Sequence, residues 1–464
     1  MSDSSAVPVM QGRRRVIDAL GTQFGSRALF DPEVMLPFLR DQCLIAEHGC
    51  PLAVVRAQSI NDVQAVMKIA SLFSVPVVTR GAGTGLAGGA NAVDGCILLS
   101  VEKMNRVLSV DVNERLAVVE PGVINAELDR VAAEDGLQYL PDPGSRAISS
   151  IGGNIATNAG GMCCAKYGVT KDHIAALKVV LPSGELIRTG SATRKNVTGL
   201  DLTGLMVGSE GTLGVIVEAT VRLHLRKLGN STVVMTFGSV SEAIDAVLVV
   251  TSSIVPASLE IMDATTIRAV NEFTGMGIDV GDGAVLIATF DGPQGPAEAV
   301  QCESIAASSG SVDAFRTDDV DEGLMLMEAR RAALPALERL GATLLDDVAV
   351  PVPNLPAMVQ AIEKQASRWG LVIGTFGHAA DGNLHPTIVF DPQDRVQRDA
   401  ARSAFREIVR EALRLGGSVS GEHGIGSLKK EFVEQMYGPS EVALMARVKA
   451  AFDPQSLLNP GKSF

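Results

Sequence analysis

The segment FGHAADGNLHP, residues 376–386, places two of the chain's six histidines on either side of an Asp-Gly dipeptide. Asp-Gly between short apolar segments is typical of a two-residue hairpin, because a type I′ turn needs positive φ at both central positions. With Asp381 and Gly382 as the turn, His378 faces His385, with Cβ atoms about 4.5–5.5 Å apart. Two neutral imidazoles at that distance suit a divalent metal, whereas a solvated surface pair is the alternative. The local pattern alone leaves both interpretations open.

A second chemical feature is the glycine-rich segment RGAGTGLAGGAN, residues 80–91, which follows a short β-branched stretch. Its G-x-G-x-x-G spacing from Gly83 matches the dinucleotide pattern, but a Rossmann unit needs a long helix that opens at the glycines. Here Gly89 leads directly to another turn and strand, which argues against a nicotinamide-type Rossmann unit. Successive backbone N–H groups can instead converge on phosphate oxygens without a helix, and Arg80 would add charge beside them.

Two further glycine clusters lie in the same half of the chain. The first runs from Gly152 to Gly161 and predicts a close approach of the backbone to a flat group, with Asn and Thr side chains at its rim. The second is GSEGTLG, from Gly208 to Gly214. Three such clusters in one predicted domain favour a large nucleotide cofactor.

Composition limits the classes of protein that fit. At 464 residues, with 46% apolar and 4% aromatic residues, the chain is expected to form two or three domains. A net charge of −13 argues against nucleic acid and against a polybasic membrane anchor. The six cysteines show no paired spacing and indicate reduced thiols in the cytoplasm. The opening MSDSSAVPVMQGRRR has no apolar signal-peptide region and is expected to be a loose tail.

The order of strand and helix patterns predicts an α+β fold. A two-part cofactor domain would comprise residues 1–228 and a C-terminal return at 430–464, and residues 229–429 would form a second domain with an antiparallel sheet. In the first part, a helix is expected over residues 59–73, with Ser59 as its cap. In the second, helices are expected at 241–253, 296–308, 322–340, 354–368 and 397–415.

Seven motifs, taken together, resemble those of a known protein family. RGAGTGLAGGAN, PDPGS…SSIGGNIATNAGG, KYGVT, GSEGTLGVI, GHAADGNLHP, SGEHGIG and the terminal FDPQSLLNPGKSF occur in order from about residue 38 to 464. This series resembles the vanillyl-alcohol oxidase/p-cresol methylhydroxylase flavoprotein superfamily. Within it, the chain is similar to the FAD-linked D-2-hydroxyacid dehydrogenases, which include D-lactate dehydrogenase, D-2-hydroxyglutarate dehydrogenase and the D subunit of glycolate oxidase.

The resemblance implies an FAD-binding domain of that superfamily and a substrate-binding cap domain. The pyrophosphate would lie on the 80–89 loop and the isoalloxazine near residues 142–161. Because residues 80–91 contain no histidine or cysteine, the FAD is expected to be non-covalent. The implied FAD-binding residues are Arg80, Gly81, Ala82, Gly83, Thr84, Gly85, Leu86, Gly88, Gly89, Pro121, Gly122, Asp142, Pro143, Gly144, Ser149, Gly152, Gly153, Asn154, Ala156, Thr157, Gly160, Gly161, Glu210, Gly214, Ile216 and Asn459.

The resemblance also implies a function for His378 and His385. It implies that His378, His385 and Glu422 bind zinc or another divalent metal, and three protein ligands leave an open position typical of a catalytic site. His423 would be the base that removes the hydroxyl proton. Arg330 would anchor the substrate carboxylate, with the adjacent Arg331 as its competitor, and Asn383 is a further expected substrate contact.

The implied reaction is oxidation of a D-2-hydroxy acid to the 2-oxo acid, with a metal-polarised hydroxyl and hydride transfer to flavin N5. The chain departs from the D-2-hydroxyglutarate enzymes at Leu334 and Leu345, where they carry threonine and lysine. This departure favours D-lactate or a larger, partly apolar monocarboxylate. The alternatives are a D-2-hydroxyglutarate dehydrogenase, an oxidase that uses oxygen directly, or a glycolate oxidase D-type subunit that needs partner subunits.

The same resemblance suggests the remaining partners. The expected electron acceptor is a quinone, an electron-transfer flavoprotein or a cytochrome, and the acceptor could bring the chain to the inner membrane as a peripheral protein. A homodimer is among the expected assemblies.

Overall fold

The chain forms two compact units in the computed structural model, which describes residues 6–227 and 229–464. The first unit comprises the chain up to Ala159, Val169–Arg226 and His423–Phe464, and the second comprises Gly160–Gly168 and Lys227–Glu422. The sequence places the boundaries after residues 228 and 429. In the structure the chain returns to the first unit earlier, directly after Glu422, and residues 160–168 form an additional excursion into the second unit.

The strands, numbered along the chain, are β1 Ala28–Leu29, β2 Ala53–Arg56, β3 Val77–Arg80, β4 Ile97–Ser100, β5 Val107–Asp111, β6 Leu116–Val119, β7 Leu137–Gln138, β8 Ile174–Val180, β9 Leu186–Gly190, β10 Val215–Arg222, β11 His224–Leu225, β12 Asn230–Phe237, β13 Ser258–Asp263, β14 Ala284–Asp291, β15 Asp313–Thr317, β16 Ala342–Leu345, β17 Val348–Ala349, β18 Val372–His378 and β19 Asn383–Phe390. The α-helices are α1 Ala6–Phe24, α2 Pro32–Met35, α3 Ile60–Phe73, α4 Asn125–Ala133, α5 Ile151–Thr157, α6 Cys164–Tyr167, α7 Leu202–Met206, α8 Val240–Ser253, α9 Ala264–Thr274, α10 Gly295–Ser308, α11 Val320–Arg331, α12 Ala333–Glu338, α13 Leu355–Trp369, α14 Arg395–Arg414, α15 Val433–Tyr437 and α16 Pro439–Phe452.

The first unit contains a four-stranded sheet of order β1-β2-β4-β3 and a five-stranded antiparallel sheet of order β5-β6-β10-β8-β9. Helix α3 begins where the sequence predicts, because the Ser59 side chain accepts a hydrogen bond from the Asp62 amide. It buries Val63, Met67 and other apolar side chains in the same core as the four-stranded sheet.

The predicted loose tail at the N-terminus is wrong from Ala6 onward. Helix α1 spans Ala6–Phe24 and places Val16, Leu20 and Phe24 in the core of the first unit. These three side chains recur every four residues, which is the spacing of one helical face. The run of arginines at 13–15 concealed that periodicity in the sequence. Residues 1–5 of the predicted tail lie outside the described part of the chain.

The second unit contains an eight-stranded sheet whose main path is β15-β12-β14-β13-β18-β19-β16, with β17 also paired to β19. All its pairs are antiparallel, as the sequence predicts for this domain. The predicted helix over 322–340 is in fact two helices, α11 and α12. Strand β13 was not predicted, because Glu260 interrupts its apolar pattern. It lies between β14 and β18, at the centre of the sheet.

Candidate functional site

The two histidines of the Asp-Gly hairpin lie on strands β18 and β19, but the predicted register is wrong. His378 pairs with Asn383, and Phe376 pairs with His385. The connection is therefore the segment 379–382 rather than a two-residue turn. Its first three residues form one 3₁₀ turn, and Gly382 closes it with a φ of +79°.

The shift in register nevertheless keeps both imidazoles on one face of the hairpin. Side chains alternate between the two faces of a strand, so a shift of two positions makes His378 and His385 diagonal neighbours on the same face. Their ring centroids are 5.1 Å apart. Only 6% of His378 and 3% of His385 is exposed, which rules out the solvated surface pair.

Glu422 completes a compact group of candidate ligands in the second unit. Its Oε1 lies 3.4 Å from Nε2 of His378 and 3.3 Å from Nε2 of His385. Zinc ligands bind at about 2.0–2.2 Å, and at tetrahedral angles two of them stand about 3.3–3.6 Å apart. Both distances from the Glu422 carboxylate and the donor chemistry of the three side chains therefore fit a divalent metal.

Two buried carboxylates that the sequence analysis missed support this ligand set. Glu260 on β13 approaches Nδ1 of His378 with both oxygens, at 2.8 and 2.9 Å. Asp347 accepts hydrogen bonds from the Glu422 amide at 2.9 Å and the Ser420 hydroxyl at 2.6 Å. A carboxylate behind a ligating imidazole fixes its tautomer and orientation. Acidic residues within short apolar segments, LEI and LLDDV, are the sequence signal that could have revealed them.

The carboxylates also determine the charge of His378. Burial lowers the pKa of His378, but Glu260 and Glu422 raise it more, and its pKa lies well above the ordinary value. Burial raises the pKa of Glu260, whereas His378 and Arg330 lower it by more, so its pKa falls below the usual range. A metal ligand must present an unprotonated Nε2, and binding of a cation would therefore release a proton.

The predicted substrate residues lie in the same unit. Nε of Arg330, at the end of α11, lies 2.7 Å from Oε2 of Glu260, and its guanidinium stacks 4.6 Å from the Phe376 ring centre. Leu334 and Leu345 both pack against the apolar cluster that contains Phe376. Asn383 donates to Asp347 at 2.7 Å and to the Val348 carbonyl at 3.0 Å, so its amide nitrogen ties two strands together.

The glycine loop of residues 81–89, where the sequence analysis places the cofactor phosphates, has backbone amides available for a ligand. It follows β3 without starting a helix, and within the described residues the amides of 83–86 donate no hydrogen bond. The buried Arg80 packs under Gly83, where a Cβ would come within 2.1 Å of the guanidinium. Arg80 donates to the Arg40 carbonyl at 2.9 Å. The Arg80 side chain thus supports the loop through these contacts. Burial lowers the pKa of the Arg80 guanidinium.

Several glycines predicted to bind the cofactor are also required by the protein's own packing. A Cβ on Gly122 would lie 2.6 Å from the Val101 carbonyl oxygen, and one on Gly152 would lie 2.6 Å from Pro121. A Cβ on Gly214 would lie 2.3 Å from Val179. These contacts explain the residue type at the three positions without a ligand.

Glu210 and the C-terminal segment hold the glycine loop in the first unit. The buried Glu210 carboxylate accepts the amides of Ile425 at 2.8 Å and Gly426 at 2.7 Å. Asn459 donates to the carbonyls of Glu210 at 2.6 Å and Gly89 at 3.3 Å. The GSEGTLG, SGEHGIG and terminal NPGK motifs thus meet at one loop, although they are far apart in the sequence.

The other predicted cofactor residues divide between the units. Gly160 and Gly161 lie in the second unit, where a Cβ on Gly160 would stand 2.5 Å from Oε2 of Glu422. The rest lie in the first unit: Gly81, Ala82, Thr84, Gly85, Leu86 and Gly88 on the loop; Pro121 after β6; Asp142, Pro143, Gly144 and Ser149 before α5; Gly153, Asn154, Ala156 and Thr157 in α5; and Ile216 on β10. His423 is the first residue of the return to that unit.

Comparison with known families identifies the two parts of the chain. Residues 51–190 match the family described as "FAD binding domain", and residues 229–463 match "FAD linked oxidases, C-terminal domain". The fold and these matches define an FAD-linked oxidoreductase. The chain belongs to the FAD-linked oxidase family, and the resemblance indicated by its motifs is confirmed.

Comparison with individual relatives gives the same class of protein. The chain is 39% identical to "Glycolate oxidase subunit GlcD" of Bacillus subtilis (strain 168), over 90% of each chain. It is 34% identical to "D-lactate dehydrogenase" of Archaeoglobus fulgidus, over 94% of this chain and 96% of the relative. Its fold is similar to that of p-cresol methylhydroxylase, with a TM-score of 0.80 at 19% identity, covering 98% of this chain and 97% of the other.

Within the described residues, no helix has the length and apolar character needed to cross a bilayer.

Proposed function

We propose that the chain is an FAD- and metal-dependent dehydrogenase that oxidises a D-2-hydroxy acid to the 2-oxo acid. The observation that carries this proposal is the convergence of both histidine Nε2 atoms on Glu422 Oε1, at 3.4 and 3.3 Å, in an FAD-linked oxidase. Relatives named D-lactate dehydrogenase and glycolate oxidase subunit support a small hydroxy acid as substrate.

His378, His385 and Glu422 would hold the metal, and Glu260 and Asp347 would keep these ligands in place. The glycine loop and Asn459 would hold FAD without a covalent bond. When bound, the metal would polarise the substrate hydroxyl, and FAD would supply a two-electron acceptor.

Substrate binding and proton transfer are assigned to other side chains of this protein. Arg330 would bind the substrate carboxylate, since a guanidinium offers paired donors to two carboxylate oxygens. His423, which directly follows Glu422 in the sequence, would accept the hydroxyl proton. Leu334 and Leu345 would make the substrate pocket apolar, which favours D-lactate or a larger monocarboxylate.

A second candidate is a glycolate oxidase subunit that requires partner chains. The 39% identity to a relative with that name is the observation that favours it. A D-2-hydroxyglutarate dehydrogenase is the third candidate. Leu334 and Leu345 argue against it, because they would make the pocket apolar.

Flavin reduction under anaerobic conditions tests the proposal and separates the candidates. The isolated, FAD-containing protein would be mixed with D- and L-lactate, D-2-hydroxybutyrate, glycolate and D-2-hydroxyglutarate, and the loss of flavin absorbance followed in time. We expect D-lactate or D-2-hydroxybutyrate to bleach the flavin fastest and the L isomer to fail. Fastest bleaching by glycolate would support the subunit candidate, and no bleaching by any D-2-hydroxy acid would contradict the proposal.

A further inference from the structure

Glu260 is a fully buried carboxylate at the centre of the eight-stranded sheet, and no function was predicted for it from the sequence. It lies on β13 opposite His378 on β18. Burying a charge is costly unless it is paired, and Glu260 is paired twice. One partner is the His378 imidazole, and the other is the Arg330 guanidinium.

We infer that Glu260 is a shared positioning residue, which orients the metal-ligating face of His378 and the carboxylate-binding end of Arg330 together. This inference rests on the proposed function, because it takes His378 as a metal ligand and Arg330 as the substrate anchor.

The contact with His378 determines which nitrogen faces the ligand cluster. Both Glu260 oxygens lie within 2.9 Å of Nδ1, so Nδ1 carries the proton and donates it as a hydrogen bond. The Nε2 lone pair is then directed to the side where Glu422 Oε1 lies 3.4 Å away. Loss of such a partner typically lowers metal affinity by about 10–100-fold.

The contact with Arg330 determines which part of the guanidinium remains for a ligand. The ion pair uses Nε, at 2.7 Å from Oε2. The two terminal nitrogens are the paired donors that a guanidinium offers to a carboxylate. Stacking on Phe376 fixes the plane of the guanidinium. Since one carboxylate contacts both side chains, a substitution at Arg330 should alter the orientation of His378 and the affinity for the metal.

The first experiment measures zinc affinity of the FAD-containing protein by competition with a chromophoric chelator. Glu260→Gln keeps the size of the side chain and removes its charge, and Glu260→Asp keeps the charge but shortens the reach. Glu411→Gln is the matched control, since it removes a 2.6 Å ion pair with Arg414 from the surface of α14. Bound FAD reports whether each variant is folded.

We expect Glu260→Gln to bind zinc about 10–100-fold more weakly than wild type, Glu260→Asp to lie between them, and Glu411→Gln to match wild type. If Glu260→Gln does not fold, Glu260→Asp decides. Zinc affinity within about twofold of the control in the folded Glu260 variants would overturn the inference. Wild-type protein that binds no zinc would instead contradict the proposed function.

The second experiment tests the bridge itself with a double-mutant cycle. Arg330→Gln is made in the wild type and in the Glu260→Gln background, and zinc affinity is measured in all four proteins. Contacting residues of one ion-pair network are coupled, so the effect of Arg330→Gln should differ by about twofold or more between the two backgrounds. Equal effects in both would show that Arg330 and His378 are supported independently, and would reject the shared function.

Discussion

His423 is proposed to be the base that accepts the hydroxyl proton. It directly follows the proposed ligand Glu422 in the chain but is not part of the group formed by His378, His385 and Glu422. Removing a positioned acid–base group usually lowers the rate by about 10²–10⁴-fold. We therefore expect His423→Asn to slow flavin reduction by at least two orders of magnitude in stopped-flow measurements, with the zinc content unchanged.

The exposed His48 provides the control for that prediction, since His48→Asn changes the same side chain at the surface. Its reduction rate should equal that of wild type. A His423→Asn protein that reduces its flavin at the normal rate but has lost zinc would make His423 a metal ligand rather than a base.

Leu345 is proposed to determine the length of the substrate. It pairs with Thr387 on β19 and packs against the same apolar cluster as Leu334. A hydrogen bond to a charged group contributes roughly 1.5–3 kcal/mol, and about 1.4 kcal/mol is a factor of ten. Leu345→Lys should therefore raise kcat/KM for D-2-hydroxyglutarate by about ten- to hundred-fold and lower it for D-lactate.

The half-exposed Leu340 offers the matched control, because Leu340→Lys adds the same charge to the surface of the second unit. Steady-state kinetics with both acids would be compared across the three proteins. The idea fails if wild type already prefers the dicarboxylate, since another cation would then provide the second anchor.

At the scale of single elements, the β18–β19 hairpin depends on Gly382. Its φ is +79°, and a Cβ there would lie 2.0 Å from the Val350 carbonyl oxygen. Gly370, at the end of α13, has a similar φ of +62° but open space around it. Left-handed backbone costs a non-glycine residue about 1–2 kcal/mol. Gly370→Ala should lower the free energy of unfolding by about that amount.

Gly382→Ala should cost more than Gly370→Ala, because the Val350 backbone must also move. It should lower zinc retention as well, since the hairpin carries both proposed histidine ligands. Urea unfolding and metal analysis of the two variants check this. Equal losses of stability with full zinc content in both would show that the close approach to Val350 has no effect on the ligands.

The C-terminal segment predicts a dependence of stability on pH. Lys462 is 4% exposed and donates to the carbonyls of Gly89, at 2.9 Å, and Asn91. Burial lowers its pKa to about 8, whereas in an unfolded chain it is about 10.4. Between these values the unfolded state binds more protons, so this lysine makes the free energy of unfolding rise with pH. Below pH 8 it adds no pH dependence.

Lys462→Met should remove that rise. Urea unfolding at pH 7.5 and 9.5 should show a smaller increase, or a larger decrease, in the variant than in wild type. The exposed Lys103 is the control, and Lys103→Met should follow wild type. Identical pH dependence in Lys462→Met and wild type would mean that the ammonium keeps an ordinary pKa in the folded protein.

At the scale of the whole molecule, the sequence predicted the elements that local patterns define. Helix α3 and the antiparallel sheet of the second unit follow from a helix cap and from patterns within short segments. The resemblance supplied His378, His385 and Glu422, which the structure brings together.

What the sequence could not predict depends on pairing between distant segments. Glu260 is 118 positions from His378, and nothing local shows that β13 would lie beside β18. The hairpin register failed for a related reason. Asp-Gly is compatible with a short turn, but the packing of Gly382 against Val350 accompanies a longer connection.

The central claim is that a metal held by His378, His385 and Glu422 is required for oxidation, while FAD is held by other segments. The most direct measurement is anaerobic flavin reduction by D-lactate, or by the fastest acid of the panel, before and after removal of metal with a chelator. Metal content would be checked by mass spectrometry. We predict that the metal-free protein keeps its FAD absorbance, because the glycine loop and the ligands lie in different units, but that its flavin is no longer reduced until zinc is restored. Reduction at the original rate in protein shown to be free of metal would contradict the account.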